Sequence, residues 1–181
     1  VKYYKNNSSS NPNASNVTVY ANGGYSAASS SHSVSVSVKN DINSGYGWIN
    51  YSAHGNWNEW SIPSFTNTQV SNMTNTKKYG VMIGNCCLTN SFQQSECFGE
   101  ALLRKGNYQG AVAYIGASDY TYWDQDYYWG VGYRSSVSQS TNYNSTRLGA
   151  YDRMFHTHNE SFDKWATTTG ALMYAGNMAV Q

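Results

Sequence analysis

Two apolar segments, GWINYSAHG (Gly47 to Gly55) and YGVMIGNCC (Tyr79 to Cys87), each read as a strand that stops abruptly at a reactive side chain: His54 in the first, Cys86 or Cys87 in the second. After them the pattern alternates. A short helix is expected near Thr66 to Thr74, then the strand at Val81 to Ile83, a helix over Cys97 to Lys105 stopped by Gly106, and a strand over Ala111 to Ile115. Strand, helix, strand, helix, strand is the order of an α/β fold with a largely parallel sheet flanked by helices. In an open sheet of that kind the carboxyl ends of the strands converge on one crevice, so an imidazole and a thiol carried on two strand ends can share a site. That is the layout of a cysteine nucleophile and its histidine partner, and a peptidase is the leading reading. Gly55 after the histidine and Gly84 before the cysteines fit it, since glycine permits a sharp turn and leaves amide N–H groups free to face an oxyanion.

The rest of the chain is less regular. Val34, Val36 and Val38 alternate as a strand would, yet Val34, Val38 and Ile42 recur every four residues like a helix face. The polar stretch Lys39 to Ser44 followed by Gly45 resembles a helix end, which favours a helix leading into the strand at Gly47. After His54 a loop with two tryptophans is expected. Lys5 to Asn16 and Ser135 to Thr146 are rich in Ser, Thr and Asn and read as exposed loops, the second preceding two C-terminal helices.

Composition narrows the function classes. At 181 residues, 40% hydrophobic but only 12% charged, the chain has material for one cored domain with an uncharged polar surface. Its formal charge of +1 supplies no basic stripe of the kind nucleic acid requires, so no nucleic-acid partner is expected. No apolar run approaches the ~20 residues that span a bilayer, and no membrane span is expected. Three cysteines, two of them adjacent, make a poor disulfide framework. The first residue is Val1, which suggests a processed chain or a fragment.

The segments NYSAHG, Trp60 to Pro63 (a Trp-x-x-Pro stretch), IGNCC, CFGEAL, AYIG and YWDQDYYWGVG occur in this order. Together they resemble the gingipain cysteine peptidases, most closely their Lys-specific branch. The resemblance runs from about Tyr46 to Tyr133, with a weaker echo through LGAYDRMF (Leu148 to Phe155) to MYAGNMAV (Met173 to Val180). It implies a caspase-like three-layer fold, of which residues 1–181 would be a single C-terminal catalytic subdomain. Its parts would be a polar opening segment (1–44), a catalytic core (46–133), a polar loop (134–147) and C-terminal helices (148–181).

In that family the histidine and the catalytic cysteine lie 33 positions apart, which selects Cys87 over Cys86 as the partner of His54. The resemblance implies that Cys87 attacks the carbonyl to give a thioester, that His54 protonates the departing amine, and that the Gly55 and Cys87 N–H groups hold the oxyanion. It matches Asp126 to the carboxylate that binds a substrate lysine. Tyr122 and Trp123 would line the lysine stem, with Ser52 and Asn85 as polar neighbours; Ser52 stands where the family carries Thr. A flexible ammonium with three donors needs such a carboxylate with neutral acceptors around it. No cofactor is expected for catalysis, while Glu100 with a Phe92 carbonyl matches a structural calcium site, calcium being an oxygen-seeking ion. The family further implies secretion or cell-surface display, a protein or peptide substrate, and a preceding chain from the same precursor that carries the acid orienting the histidine.

Each assignment has a plainer counterpart. A lone His or Cys is more often a core residue, and Cys86 is read that way. The aromatic run from Tyr122 to Trp129 reads equally as a core patch, with Asp119 and Asp124 as alternative carboxylates. Glu100 reads equally as a helix N-terminal acid. His156, His158 and Glu160 form an H-x-H-x-E cluster for which no further zinc ligand stands at the usual spacing. The family's Glu three residues after the histidine is Trp57 here. Two other functions stay open: a caspase-like peptidase cutting after Arg or Asn, and a non-catalytic surface-binding module.

Overall fold

A helix, α1 (His32–Ser44), opens the described chain and runs toward β1 (Trp48–Ser52), β2 (Gly55–Asn56), β3 (Glu59–Ser61), β4 (Ser64–Thr66) and a short α2 (Asn67–Ser71). Then come β5 (Gly80–Asn85), α3 (Phe98–Arg104), β6 (Ala111–Gly116), α4 (Trp123–Val131), α5 (Ala150–Phe155), a 3-10 turn (Phe162–Lys164) and α6 (Thr169–Val180). This computed structural model describes residues 32–132, 148–155 and 161–181. The described residues fall into two compact units, one within Tyr20–Tyr122 and one that includes Trp123–Gln181. The Lys5–Asn16 and Ser135–Thr146 loops and the H-x-H-x-E cluster lie outside the described residues.

The strand-helix alternation produces the expected parallel sheet, in the order β1-β5-β6. The register pairs Ser52 with Asn85 on β1 and β5, and Gly84 with Gly116 on β5 and β6. Helices bracket the strands. α1 uses its four-residue repeat, with Ile42 buried and Val38 against the same core. Gly45 ends it in the left-handed region (φ 97°), its N–H donating to the Ile42 carbonyl at 3.1 Å. α2 begins with a capping box in which Gln69 N–H donates to the Thr66 hydroxyl and Thr66 N–H to the Gln69 side chain.

The expected loop with two tryptophans is instead a small antiparallel sheet, β2-β3-β4. Its strands are two or three residues long, too short to print an alternation in the sequence. The Ile62–Pro63 peptide between β3 and β4 is cis. This small sheet delivers Trp60, 2% exposed, into an aromatic core. Trp60 stacks on Tyr51 with ring centres 4.8 Å apart and planes within 5°, and it meets Phe98 at 5.2 Å and Phe65 at 5.9 Å. Its indole N–H donates to the Tyr114 hydroxyl at 3.1 Å. Gly84 in the middle strand lies beneath that hydrogen bond: a Cβ there would run into the Tyr114 hydroxyl and come within 3.0 Å of Trp60 Nε1. Gly84 is thus a packing glycine inside β5, and the turn at the strand end does not depend on it.

A second tie sets the entrance to the sheet. Asn75 is 1% exposed and spends both ends of its amide on the residues that lead into β5 and β6. It accepts from Gly110 N–H at 3.0 Å and donates to the Gly110 and Lys78 carbonyls at 2.7 and 3.0 Å. A buried amide so satisfied fixes the relative height of β5 and β6.

In the other unit the aromatic segment expected as a pocket lining is itself helical. Trp129 of α4 meets Tyr151 of α5 edge-on at 5.7 Å and donates to Asn177 of α6 at 3.2 Å. Gly176 is required where the α6 backbone crosses the Trp129 indole, which a Cβ would penetrate.

Burial pushes the pKa of the Tyr51 and Tyr114 phenols above the ordinary tyrosine value of 10.0. Because the folded state favours the neutral phenol, this stability is complete below pH 10.0 and is lost as pH climbs beyond it toward the folded-state values. We expect the midpoint for urea unfolding to fall steeply above that pH. In Tyr114→Phe, less stable at neutral pH for loss of the Trp60 hydrogen bond, the alkaline fall should be shallower. A slope equal to the parent's would contradict the assignment.

Candidate active site

The site begins where β1 and β5 stop. Ser52 and Asn85 are register partners, and two residues beyond each stand His54 and Cys87. Because side chains alternate along a strand, Ser52 and Asn85 project from the sheet face opposite Tyr51 and Gly84, away from the Trp60 core. His54 and Ser52 are exposed, Asn85 and Cys87 half-buried, and Cys86 fully buried with its sulfur 3.9 Å from the Thr89 hydroxyl. Adjacent cysteines therefore face opposite ways. Cys86 belongs to the aromatic core cluster, as the plainer reading has it.

The chain beyond His54 is fixed by backbone chemistry. The Tyr51 hydroxyl donates to the His54 carbonyl at 2.6 Å and accepts from Ile62 N–H at 3.0 Å, and Ser61 N–H donates to the same His54 carbonyl at 2.9 Å. With that last bond in place, the Gly55 and Trp60 pairing is a non-hydrogen-bonded one, so the Gly55 N–H is not consumed by the small sheet. Gly55 itself rests on the cysteine segment. A Cβ on it would lie 2.6 Å from Cys86 Sγ and 2.8 Å from the Cys87 carbonyl oxygen. The expectation that this glycine serves a turn gives way to a different reason: it allows the histidine strand to close on the cysteine strand.

Cys87 sits at the apex of a reversal. Leu88, with φ 64°, adopts the left-handed conformation that β-carbon sterics disfavour, and the chain folds back at once. Leu88 N–H donates to the Asp119 carbonyl at 3.1 Å and Asn90 N–H to the Ala117 carbonyl at 2.8 Å, which clamps the segment onto the chain leaving β6. That clamp brings Thr121 to the thiol. Thr121 N–H donates to Cys87 Sγ at 3.4 Å, and the Thr121 hydroxyl lies 3.7 Å from the same sulfur. Among the described residues the Cys87 N–H has no acceptor. Nothing in the sequence singled out Thr121 or Tyr51; each acts through a contact that spans a strand end.

The remaining expected residues fall as follows. Tyr122, 70% exposed, follows Thr121 in the first unit. Trp123 and Asp126 occupy the first turn of α4 in the other unit, three residues apart and therefore on one side of that helix. Asp124 shares that turn and is exposed, while Asp119 caps its own turn by accepting from Tyr120 N–H at 2.7 Å. Glu100 accepts from Cys97 N–H at 2.9 Å at the start of α3, which holds its carboxyl below the usual carboxylate range. This is the helix-terminal role of the plainer reading. Phe92 is 63% exposed, and no three His, Cys, Asp or Glu side chains assemble among the described residues. Glu100 thus presents one carboxylate there, hydrogen-bonded to the helix start.

The close seat of Gly55 can be tested directly. Gly55→Ala should cost about 1–3 kcal/mol in urea unfolding, the usual range for overpacking, whereas Gly47→Ala, with nothing within 4 Å of the added carbon, should cost only tenths. Equal losses at the two positions would refute the close approach.

Comparison with known proteins follows the same segments. The Peptidase family C25 model matches residues 2–181. Lys-gingipain of Porphyromonas gingivalis is 42% identical over 139 residues, 76% of this chain but 8% of that protein. Gingipain R2 of the same organism is 31% identical over 102 residues, 52% of this chain and 14% of its own length. This chain thus spans a small part of the curated relatives it matches. A solved structure described as a protease is 37% identical with a TM-score of 0.70, covering 78% of this chain and 30% of that one. The Arg-specific gingipain R structure shares the fold at a TM-score of 0.62, with 22% identity over 80% of this chain and 30% of its own. By family and fold, this chain belongs to peptidase family C25, the gingipain-type cysteine peptidases.

Proposed function

We propose that this chain supplies the nucleophile and its proton-transfer partner to a cysteine endopeptidase that cuts after lysine. The observation that carries the reading is the contact of Gly55 with Cys86 and Cys87, which makes neighbours of the two strand ends bearing His54 and Cys87. In this mechanism Cys87 Sγ attacks the scissile carbonyl carbon, and the oxyanion so formed is held by the N–H groups of Gly55 and Cys87. Each such donor typically lowers the barrier by roughly 3 kcal/mol. His54 passes a proton to the departing amine, leaving a thioester; it then takes a proton from water, which attacks the thioester and frees Cys87.

Lysine specificity rests on Asp126 as the partner of the substrate ammonium. Trp123 and Tyr122 would flank the aliphatic stem, and Ser52 and Asn85 would supply neutral polar contacts. The relative named Lys-gingipain supports this choice, at 42% identity over 76% of this chain against 31% over 52% for gingipain R2. The acid that orients His54 would come from a preceding chain of the same precursor, consistent with the small share of the relatives that this chain spans. Secretion or surface display is proposed on the same kinship, and no helix among the described residues is long and apolar enough to cross a membrane. Structural calcium at Glu100 and the Phe92 carbonyl would need further oxygen ligands. Were it bound there, millimolar calcium should raise the melting temperature of the parent and leave that of Glu100→Gln unmoved; no rise in the parent removes the proposal.

Turnover of lysyl, arginyl and asparaginyl peptides by the complete protein tests the main reading. Cys87→Ala should abolish cleavage and Cys86→Ala retain it, while Asp126→Asn should cut kcat/KM for lysyl substrates by on the order of a hundredfold, since it strands a desolvated charge. Arginyl peptides cut as fast as lysyl ones would leave a cysteine peptidase of different specificity. Failure of a lysyl chloromethyl ketone to label Cys87 would point to a non-catalytic binding module.

A further inference from the structure

Thr121 is the residue in closest polar contact with the Cys87 sulfur, and no role for it was legible in the sequence. We propose that Thr121 is a positioning residue for the nucleophile, holding Cys87 Sγ in its resting place and presenting two donors to it when it is anionic; this rests on the cysteine-peptidase reading above. Three contacts converge. The Thr121 N–H donates to Sγ at 3.4 Å, the hydroxyl lies 3.7 Å away, and the Thr121 carbonyl stands 3.6 Å from Sγ, where it accepts the thiol proton. These lengths suit sulfur, whose larger radius lengthens every hydrogen bond it joins. As a thiol, Cys87 can donate to the carbonyl; as a thiolate, it can accept from both the amide and the hydroxyl. The arrangement serves both protonation states without a change in backbone.

The contact is built into the fold. Leu88 N–H on the Asp119 carbonyl and Asn90 N–H on the Ala117 carbonyl lash the cysteine loop to the segment leaving β6, so Thr121 is delivered by two backbone bonds that lie just before it in the chain. Thr121 also immediately precedes Tyr122, one of the residues proposed to line the specificity pocket.

Thr121→Val keeps the shape and both backbone contacts but removes the hydroxyl, and Thr121→Ser restores it. In the complete protein we expect Thr121→Val to slow carboxamidomethylation of Cys87 by iodoacetamide, followed by peptide mass spectrometry, by roughly tenfold, the size of one lost hydrogen bond to a charged group. It should lower kcat on lysyl peptides by a similar factor with KM held within about twofold, and Thr121→Ser should recover both rates. If Thr121→Val fails to fold, Thr121→Ala carries the same comparison without branched bulk. A hydroxyl-free variant that reacts like the parent, or a Thr121→Ser variant as slow as Thr121→Val, overturns the proposal. The alkylation arm needs no peptidase activity: normal Thr121 effects on labelling with no cleavage of any peptide would instead count against the proposed function.

Discussion

Trp60 is the interaction on which the first unit depends. Its ring stacks on Tyr51 of β1, its indole N–H binds the Tyr114 hydroxyl of β6, and Phe65 and Phe98 close its sides. Three elements far apart in the chain are thereby tied at one point directly beneath the ends of the parallel strands. Aromatic pairs of this kind contribute roughly 0.5–1.5 kcal/mol each beyond the area they bury. Gly84 is the complementary constraint on the middle strand, since only the absence of a side chain lets the Trp60 and Tyr114 hydrogen bond pass over β5. The alternation of sizes, large on either side and nothing between, makes the sheet and its aromatic cover one object.

The same tie reaches the site through Tyr51. One face of its ring supports Trp60, while its hydroxyl binds the His54 carbonyl and the Ile62 N–H. A single side chain thus couples core burial to the course of the backbone around the histidine. On the cysteine side the corresponding coupling is divided: Cys86 fills the core, and Cys87, one residue on, is turned outward toward Thr121. The pair joins packing to the candidate site, because the chain bends away from the core immediately after β5.

Much of this was legible in the residues themselves. The strands at Trp48–Ser52, Gly80–Asn85 and Ala111–Gly116 follow from apolar runs bounded by turn residues, and the helix at Phe98–Arg104 from its periodicity and its glycine stop. α1 was ambiguous only because Val36 fits the strand period and Val34, Val38 and Ile42 the helix period; Gly45 resolves it with a left-handed cap. What the residues could not announce was the small sheet β2-β3-β4, whose strands are shorter than the window in which a period of two can be seen. α4 was hidden by composition, since a run of Tyr and Trp carries weak helix propensity and is held helical by its contacts with α5 and α6.

The sequence by itself determined the parallel strands β1, β5 and β6 and the helices α2 and α3 between them, because hydrophobic periodicity and glycine stops act within a few residues of one another. It also determined which side chains could perform chemistry and, by family likeness, which cysteine of the adjacent pair is the candidate. Only the tertiary structure decided why Gly55 and Gly84 must be glycine, that Glu100 accepts from the Cys97 N–H, and that Thr121 faces the sulfur. Those facts depend on which backbone passes within a few ångströms of which other, a relation between residues as far apart as Cys87 and Thr121 that no local pattern encodes.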